Sequence, residues 1–175
     1  MILAAHQATL IPWLPYFRKM QLCDKFVMMI HCQFEKNSYL NRFKYKEKWI
    51  TSPVNGGNDL ILNKSYVTGK SLWKTNGKLI IGFADLIGID TSKVVMDFPT
   101  EKTGTERIIE LCKKYECDEY MTNPEAEEKY LDVELINKEG IKIIPFIPSN
   151  DYKISLFEAF EKWGIEWTRK MICKI

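Results

Sequence analysis

Glycine and histidine are scarce in this chain, nine and two among 175 residues. The glycines form no Gly-x-Gly-x-x-Gly fingerprint, no phosphate loop and no Gly-x-Ser-x-Gly elbow. Dinucleotide binding, P-loop hydrolysis and serine-hydrolase chemistry therefore lack their motifs. The five cysteines (Cys23, Cys32, Cys112, Cys117, Cys173) are odd in number, and none has a partner at zinc-like spacing. Free thiols in a reducing, cytoplasmic setting are the expectation, with no metal site. No apolar run approaches the ~20 residues that span a bilayer, so no membrane partner is expected. The first residues carry neither a basic segment nor a small-residue cleavage site, so they read as part of the fold and not as a signal peptide.

Neither sign of charge dominates overall, at net +2, yet the distribution is uneven. Residues 1–80 hold 12 Lys+Arg against 4 Asp+Glu, and residues 81–175 hold 13 against 19. A first half at +8 and a second at −6 fit contact with a polyanion or a phosphorylated ligand. They fit equally a chain whose halves neutralise each other where they pack.

Hydrophobic residues make up 46%, enough for one domain with a real core across residues 1–175. Residues 2–6 read as a buried strand, 15–23 as a short helix opened by Pro15, and Phe26–Ile30 as a second strand. Residues 33–48 are polar and aromatic, and Trp49–Val54 is strand-like. Asn55-Gly-Gly-Asn58 marks a turn before an edge strand at Leu60–Leu62. Helices are expected over 70–87, after Thr103 or Thr105 as N-cap, over Ala126–Leu135, and over Ile154–Trp163 with Ser149 or Asn150 among its caps. Val94–Met96, Glu119–Met121 and Ile141–Ile144 read as strands. This alternation predicts an α/β layered fold, with a mostly parallel central sheet and flanking helices, Rossmann-like.

His6 closes the first strand, followed by Gln7. A polar pair at the carboxyl edge of a parallel strand stands where α/β folds hold ligands. Histidine exchanges protons near neutrality, and the amide of Gln7 can anchor a carbonyl or a base edge. The alternative for His6 is a structural imidazole bonded to backbone. Asn41-Arg42, with Lys36, Lys44, Lys46 and Lys48, interleaves with Tyr39, Phe43, Tyr45 and Trp49. Cations beside aromatic faces suit phosphate and nucleobase contact, and also an ordinary solvated face. The carboxylates of Glu125, Glu127 and Glu128 make the segment after Asn123 read as helix capping and not as an anion site.

Several stretches, in order, together resemble the WbqC-like protein family. They are Ala5-His6-Gln7 with Pro12-Trp13 and Tyr16-Phe17; Asp24–Val27; Gln33-Phe34; Asn41-Arg42; Trp49–Val54; Thr105–Lys114; Tyr120–Asp132; and Ile154-Ser155 with Glu158 and Gly164. The chain departs at Ile30-His31, where the family often has paired aspartates, at Asn123 in place of glycine, and at Ala8 in place of proline. His31 stands in for part of the missing pair.

The resemblance implies a transferase. Family members serve O-antigen sugar pathways, and similar bacteriophage proteins are amino acid:DNA transferases. The basic first half favours the latter, with DNA bearing an activated pyrimidine and a free amino acid, glycine foremost, as partners in the host cytoplasm. A nucleotide sugar is the alternative acceptor, and a non-catalytic nucleic-acid-binding module the alternative of another class. In the expected mechanism an amine displaces pyrophosphate from a hydroxymethyl pyrimidine. His6 takes the proton, Arg42 holds the leaving group with Lys19 or Lys44, and Gln7 and Asn41 position substrate. Trp13, Tyr16 or Trp49 stacks on the base. No cofactor is expected beyond a divalent cation accompanying the diphosphate.

Overall fold

A computed structural model describes residues 1–35, 37–54, 66–67, 70–149 and 153–173. The expected turn at Asn55–Asn58, the strand at Leu60–Leu62, Lys36 and the candidate cap Asn150 lie outside the described residues.

Five strands form one parallel sheet: β1 (Ile2–Gln7), β2 (Lys25–Met29), β7 (Val94–Met96), β8 (Glu119–Thr122) and β9 (Lys142–Pro145). Their spatial order is β7-β2-β1-β8-β9. The chain lays strands outward on one side of β1, then returns to its other side. That reversal makes the carboxyl ends of β1 and β8 a topological switch point, where loops part and leave a crevice.

Side chains alternate across the sheet with period two, so each strand feeds two cores. Ala4, Phe26 and Met28 face α1 (Leu14–Leu22), α2 (Leu72–Leu86) and α6 (Leu156–Ile172), packing against Phe17, Met20, Ile80 and Leu156. Leu3, Ala5 and Val27 face α3 (Gly104–Lys114), α4 (Pro124–Tyr130) and α5 (Val133–Lys138), packing against Ile108, Leu111 and Ile136. Burying each such side chain contributes about 1.5–3 kcal/mol, which is why the short apolar runs suffice as strands. The same alternation sends His6 toward α1 and Gln7 toward the opposite face.

Three departures from expectation have local causes. First, residues 42–51 form a hairpin, β3 (Arg42–Tyr45) with β4 (Lys48–Thr51). Its turn residues Lys46 and Glu47 both take positive φ, 48° and 62°, as a tight two-residue turn requires. Neither is glycine or asparagine. The turn is held instead by α6: Lys46 N–H donates to Glu158 at 2.8 Å, and the Lys46 ammonium and Tyr45 hydroxyl both reach Glu161. Second, the helix expected over Ala126–Leu135 is two helices, broken where the Asp132 carboxylate accepts from Leu135 N–H and caps α5. Third, α6 is capped by Ser155, not Ser149 or Asn150. Ser155 and Glu158 exchange hydrogen bonds in a capping box. Thr103 is the N-cap residue of α3 but makes no side-chain capping bond. Thr105 lies inside the helix, its hydroxyl donating to the Tyr130 carbonyl.

The short pair β5 (Tyr66–Val67) and β6 (Lys70–Ser71) leads into α2, which therefore begins at Leu72. Among the described residues, no helix is long and apolar enough to cross a membrane. All five cysteines are free.

Candidate functional site

The end of β1 is the meeting point of three hollows, and His6 lines all of them. Its ring packs edge-on against Tyr16 of α1 with centroids 4.7 Å apart. Burial, with a smaller push from the Lys19 ammonium, lowers its pKa to about 4. The imidazole is therefore neutral near pH 7. Nδ1 lies 3.2 Å from the Gln7 carbonyl. A neutral ring donating there leaves Nε2 as a lone-pair acceptor on a residue that lines all three hollows.

The first hollow is a cavity of about 300 Å³ between β1, the β3 strand and the start of α6. His6, Gln7, Trp13, Tyr39, Lys44 and Lys153, together with the acidic Glu35, supply its polar and aromatic walls. Three clamps shape it. Leu10 N–H donates to the Tyr39 carbonyl at 2.8 Å. Asn76, fully buried in α2, donates to the Ala8 and Leu40 carbonyls at 2.7 and 2.9 Å. Leu14 N–H and Leu156 N–H exchange bonds with the 154 and 12 carbonyls, joining the starts of α1 and α6. Ile11, on the cavity wall, is held at φ 45°, a costly conformation for a β-branched residue that only such anchoring sustains.

The second hollow, about 500 Å³, opens on the other face of the sheet among Gln7, Gly104, Arg107, Tyr120 and Tyr130. Arg107 brings little free charge. Nη2 donates to Asp97 at 3.0 Å and to the Phe98 carbonyl, and Nη1 to Glu110 at 3.0 Å. Asp97 in turn accepts from Ile30 N–H at 2.8 Å, His31 N–H at 3.2 Å and His31 Nδ1 at 3.0 Å. This cluster ties β2, β7 and α3 together.

The third hollow is a slot of about 10 Å³ among His6, Tyr16, Lys19, Asn123 and Phe146. Lys19 is 6% exposed, and burial lowers its pKa to about 8.

The expected site residues therefore divide. His6, Gln7, Trp13 and Lys44 share the first cavity, while His6, Trp13, Tyr16 and Lys19 share the slot. Arg42 lines none of the three hollows. Its guanidinium stacks on Trp49 at 4.0 Å, and Trp49 meets Tyr39 edge-on at 5.4 Å, so Arg42 touches the first cavity only through two rings. His6 and Arg42 thus do not converge on one of these hollows, since the Arg42 guanidinium packs on Trp49 of the paired strand. Asn41 closes the base of the hairpin, donating to the Ser52 carbonyl at 3.1 Å while Ser52 N–H returns a bond at 2.7 Å. His31 lies past the end of β2, its ring nitrogen on Asp97, and lines none of the hollows.

Asp97 and Arg107 carry no local signal in the sequence. The one cue is an acidic residue directly after an apolar run, where parallel strands end. The uneven charge is partly answered within the fold, as Lys46 pairs with Glu161 across the two halves and Lys44 with Glu47. Among the described residues, no group of His, Cys, Asp and Glu comes together to hold a metal ion.

Comparison with known proteins follows the same outline. The profile of the WbqC-like protein family matches residues 7–76 and 59–163. A protein of Mycobacterium tuberculosis, strain H37Rv, described as "Uncharacterized protein Rv1507c", is 23% identical over 201 residues, with 89% of this chain and 86% of that protein covered. No solved structure matches the chain.

Proposed function

Since the chain belongs to the WbqC-like protein family, we propose that it is a transferase joining the amine of an amino acid to an activated pyrimidine in DNA. The amine nitrogen bonds to the methylene carbon on the pyrimidine, the carbon–oxygen bond to pyrophosphate breaks, and pyrophosphate departs with the electron pair. The proton lost from nitrogen passes to His6 Nε2. The observation that carries this reading is the neutral imidazole at the switch point, opening on a cavity that combines aromatic walls with two ammonium groups.

In that cavity a base extruded from the stack lies between Trp13 and Tyr39, whose faces offset the few kcal/mol of unstacking. Lys44 and Lys153 meet the developing charge on pyrophosphate. Lys44 must leave Glu47, 2.6 Å away, to do so. That exchange is inexpensive, since exposed pairs contribute about 0–1 kcal/mol. The exposed rings of Trp49 and Tyr39, with half-buried Arg42 stacked on Trp49, form a row beside the cavity where a strand of DNA can lie. A divalent cation taking part would arrive on the diphosphate.

The test is incubation of the protein with labelled glycine and DNA carrying pyrophosphorylated hydroxymethyluracil, followed by mass analysis of the nucleosides. Transfer abolished by His6→Ala and weakened by Lys44→Ala supports the reading. Transfer that survives His6→Ala removes the role of His6. Label on a nucleotide sugar in place of DNA selects the polysaccharide alternative. Salt-sensitive DNA binding without covalent product selects a binding module.

A further inference from the structure

Lys19 and Tyr16 lie one helical turn apart on α1 and share the slot beside His6. Both are more than nine-tenths buried, at 6% and 1% exposure. Neither has a hydrogen bond among the described residues: the Tyr16 hydroxyl is buried without a partner, and the contact made by the Lys19 ammonium is with the face of Phe146, 5.9 Å away. Asn123, on the opposite wall at the end of β8, makes no side-chain capping bond to α4. Among the described residues, no Asp or Glu lines the slot. A buried hydroxyl without a partner and, beside it, a largely buried ammonium with no hydrogen bond among the described residues are costly to fold unless something else completes them, and the carboxamide of half-buried Asn123 stands at the same slot.

We propose that this slot is an oxyanion subsite and that it takes the carboxylate of the α-amino acid substrate. This deepens the function proposed above and rests on it for the identity of the substrate. Size and charge choose the carboxylate. About 10 Å³ admits a single water-sized atom, so one oxygen of a carboxylate enters while the other stays at the mouth. One ammonium balances one negative charge, whereas pyrophosphate carries several and needs more room and more cations. With the carboxylate between Lys19, Tyr16 and Asn123, the amine is two bonds from the carboxylate carbon. His6 stands on the wall shared by the slot and the first cavity, between nucleophile and base. The arrangement recognises what is common to α-amino acids and leaves simple amines without an anchor.

The experiment measures binding of acetate, glycine, methylamine, inorganic phosphate and pyrophosphate to the full chain by calorimetry, with Lys19→Met, Lys19→Gln and Tyr16→Phe compared after circular dichroism confirms folding. Acetate and glycine should bind and methylamine should not. Either Lys19 substitution should weaken glycine about 10- to 100-fold, the loss of one charge-assisted contact, and Tyr16→Phe less. Phosphate and pyrophosphate binding should be unmoved by the Lys19 variants. The proposal is overturned if the wild-type chain binds neither acetate nor glycine, if glycine affinity is the same in all variants, or if pyrophosphate binding is what the Lys19 variants lose. Lys19-dependent glycine binding without transfer to DNA keeps the slot and removes the DNA reading. Transfer to DNA with an unchanged glycine KM in Lys19→Met removes the slot and keeps that reading.

Discussion

Two buried polar clusters stand on either side of the carboxyl edge of this sheet, and they are built on opposite rules. In one, Asp97 accepts from Arg107, from His31 and from two backbone N–H groups, and Arg107 is shared further with Glu110 and the Phe98 carbonyl. In the other, Lys19, Tyr16 and Asn123 line a common slot with no hydrogen bond between them. A closed network has used up its donors and acceptors on the protein itself, so its work is to hold β2, β7 and α3 in register. An open set of donors costs stability in the free protein and keeps its bonding capacity for something else. Burial alone does not separate structural from functional polar groups.

The largest expected effect tests the closed side. Asp97→Ala takes from the Arg107 guanidinium its buried carboxylate, leaving it Glu110 and the Phe98 carbonyl, and leaves the Ile30 and His31 N–H groups without their acceptor. Removing one partner of a buried pair costs about 3–5 kcal/mol. Urea denaturation should show that loss. A loss below 1 kcal/mol would mean the cluster is wetter and weaker than its geometry describes.

Next comes the pH dependence of the two open-side bases. The His6 pKa is lowered to about 4 in the fold, against about 6.5 in the unfolded chain. Its contribution is therefore complete above pH 6.5 and is lost as pH falls toward 4, by about 2–3 kcal/mol. Lys19, lowered to about 8 from 10.5, works at the other end. There the unfolded chain holds the proton longer, so stability rises by about 2–3 kcal/mol between pH 8 and 10.5. Stability curves for wild type, His6→Gln and Lys19→Met should show each limb vanish with its residue. An acid limb of activity centred near pH 6.5 would contradict the neutral, half-buried His6.

How far the sequence announces these things depends on range. The parallel sheet was legible because short apolar runs such as Phe26–Ile30 and Val94–Met96 end at turn residues, and burial requires nothing more. His6 at the tip of β1 was legible for the same reason. The β3–β4 hairpin was not, because Lys46-Glu47 is a poor turn sequence stabilised by Glu158 and Glu161 more than a hundred residues away. The capping box is local, Ser155-Leu-Phe-Glu158, but the polar Ser149 and Asn150 in the preceding loop offer competing cap residues. The pairing of Asp97 with Arg107 and His31, and the shared slot of Lys19 and Asn123, are products of topology that no local pattern encodes. Arg42 has a suggestive neighbourhood in the sequence, yet strand geometry turns it onto Trp49.

A smaller effect of opposite sign follows for Lys19→Met. At neutral pH this substitution removes a buried charge without removing a partner, so the fold should gain about 1–2 kcal/mol while glycine binding weakens. A stabilising mutation that weakens binding is the signature of the open cluster. A destabilising one would mean that Lys19 is satisfied by contacts of its own and belongs with the closed set.

The smallest effects separate two tyrosines. The Tyr115 hydroxyl donates to the Met96 carbonyl at 2.7 Å, on the side of the closed network, whereas that of Tyr16 is buried and donates to nothing. Tyr115→Phe removes a made bond and should cost about 1 kcal/mol. Tyr16→Phe removes only an unmet one, and should change stability by less than about 0.5 kcal/mol or raise it slightly. Thermal melts of the two variants side by side measure this difference directly. The ranking should invert in saturating glycine, where the Tyr16 hydroxyl has an acceptor and its loss reduces the ligand-induced rise in Tm, while Tyr115→Phe keeps the full rise.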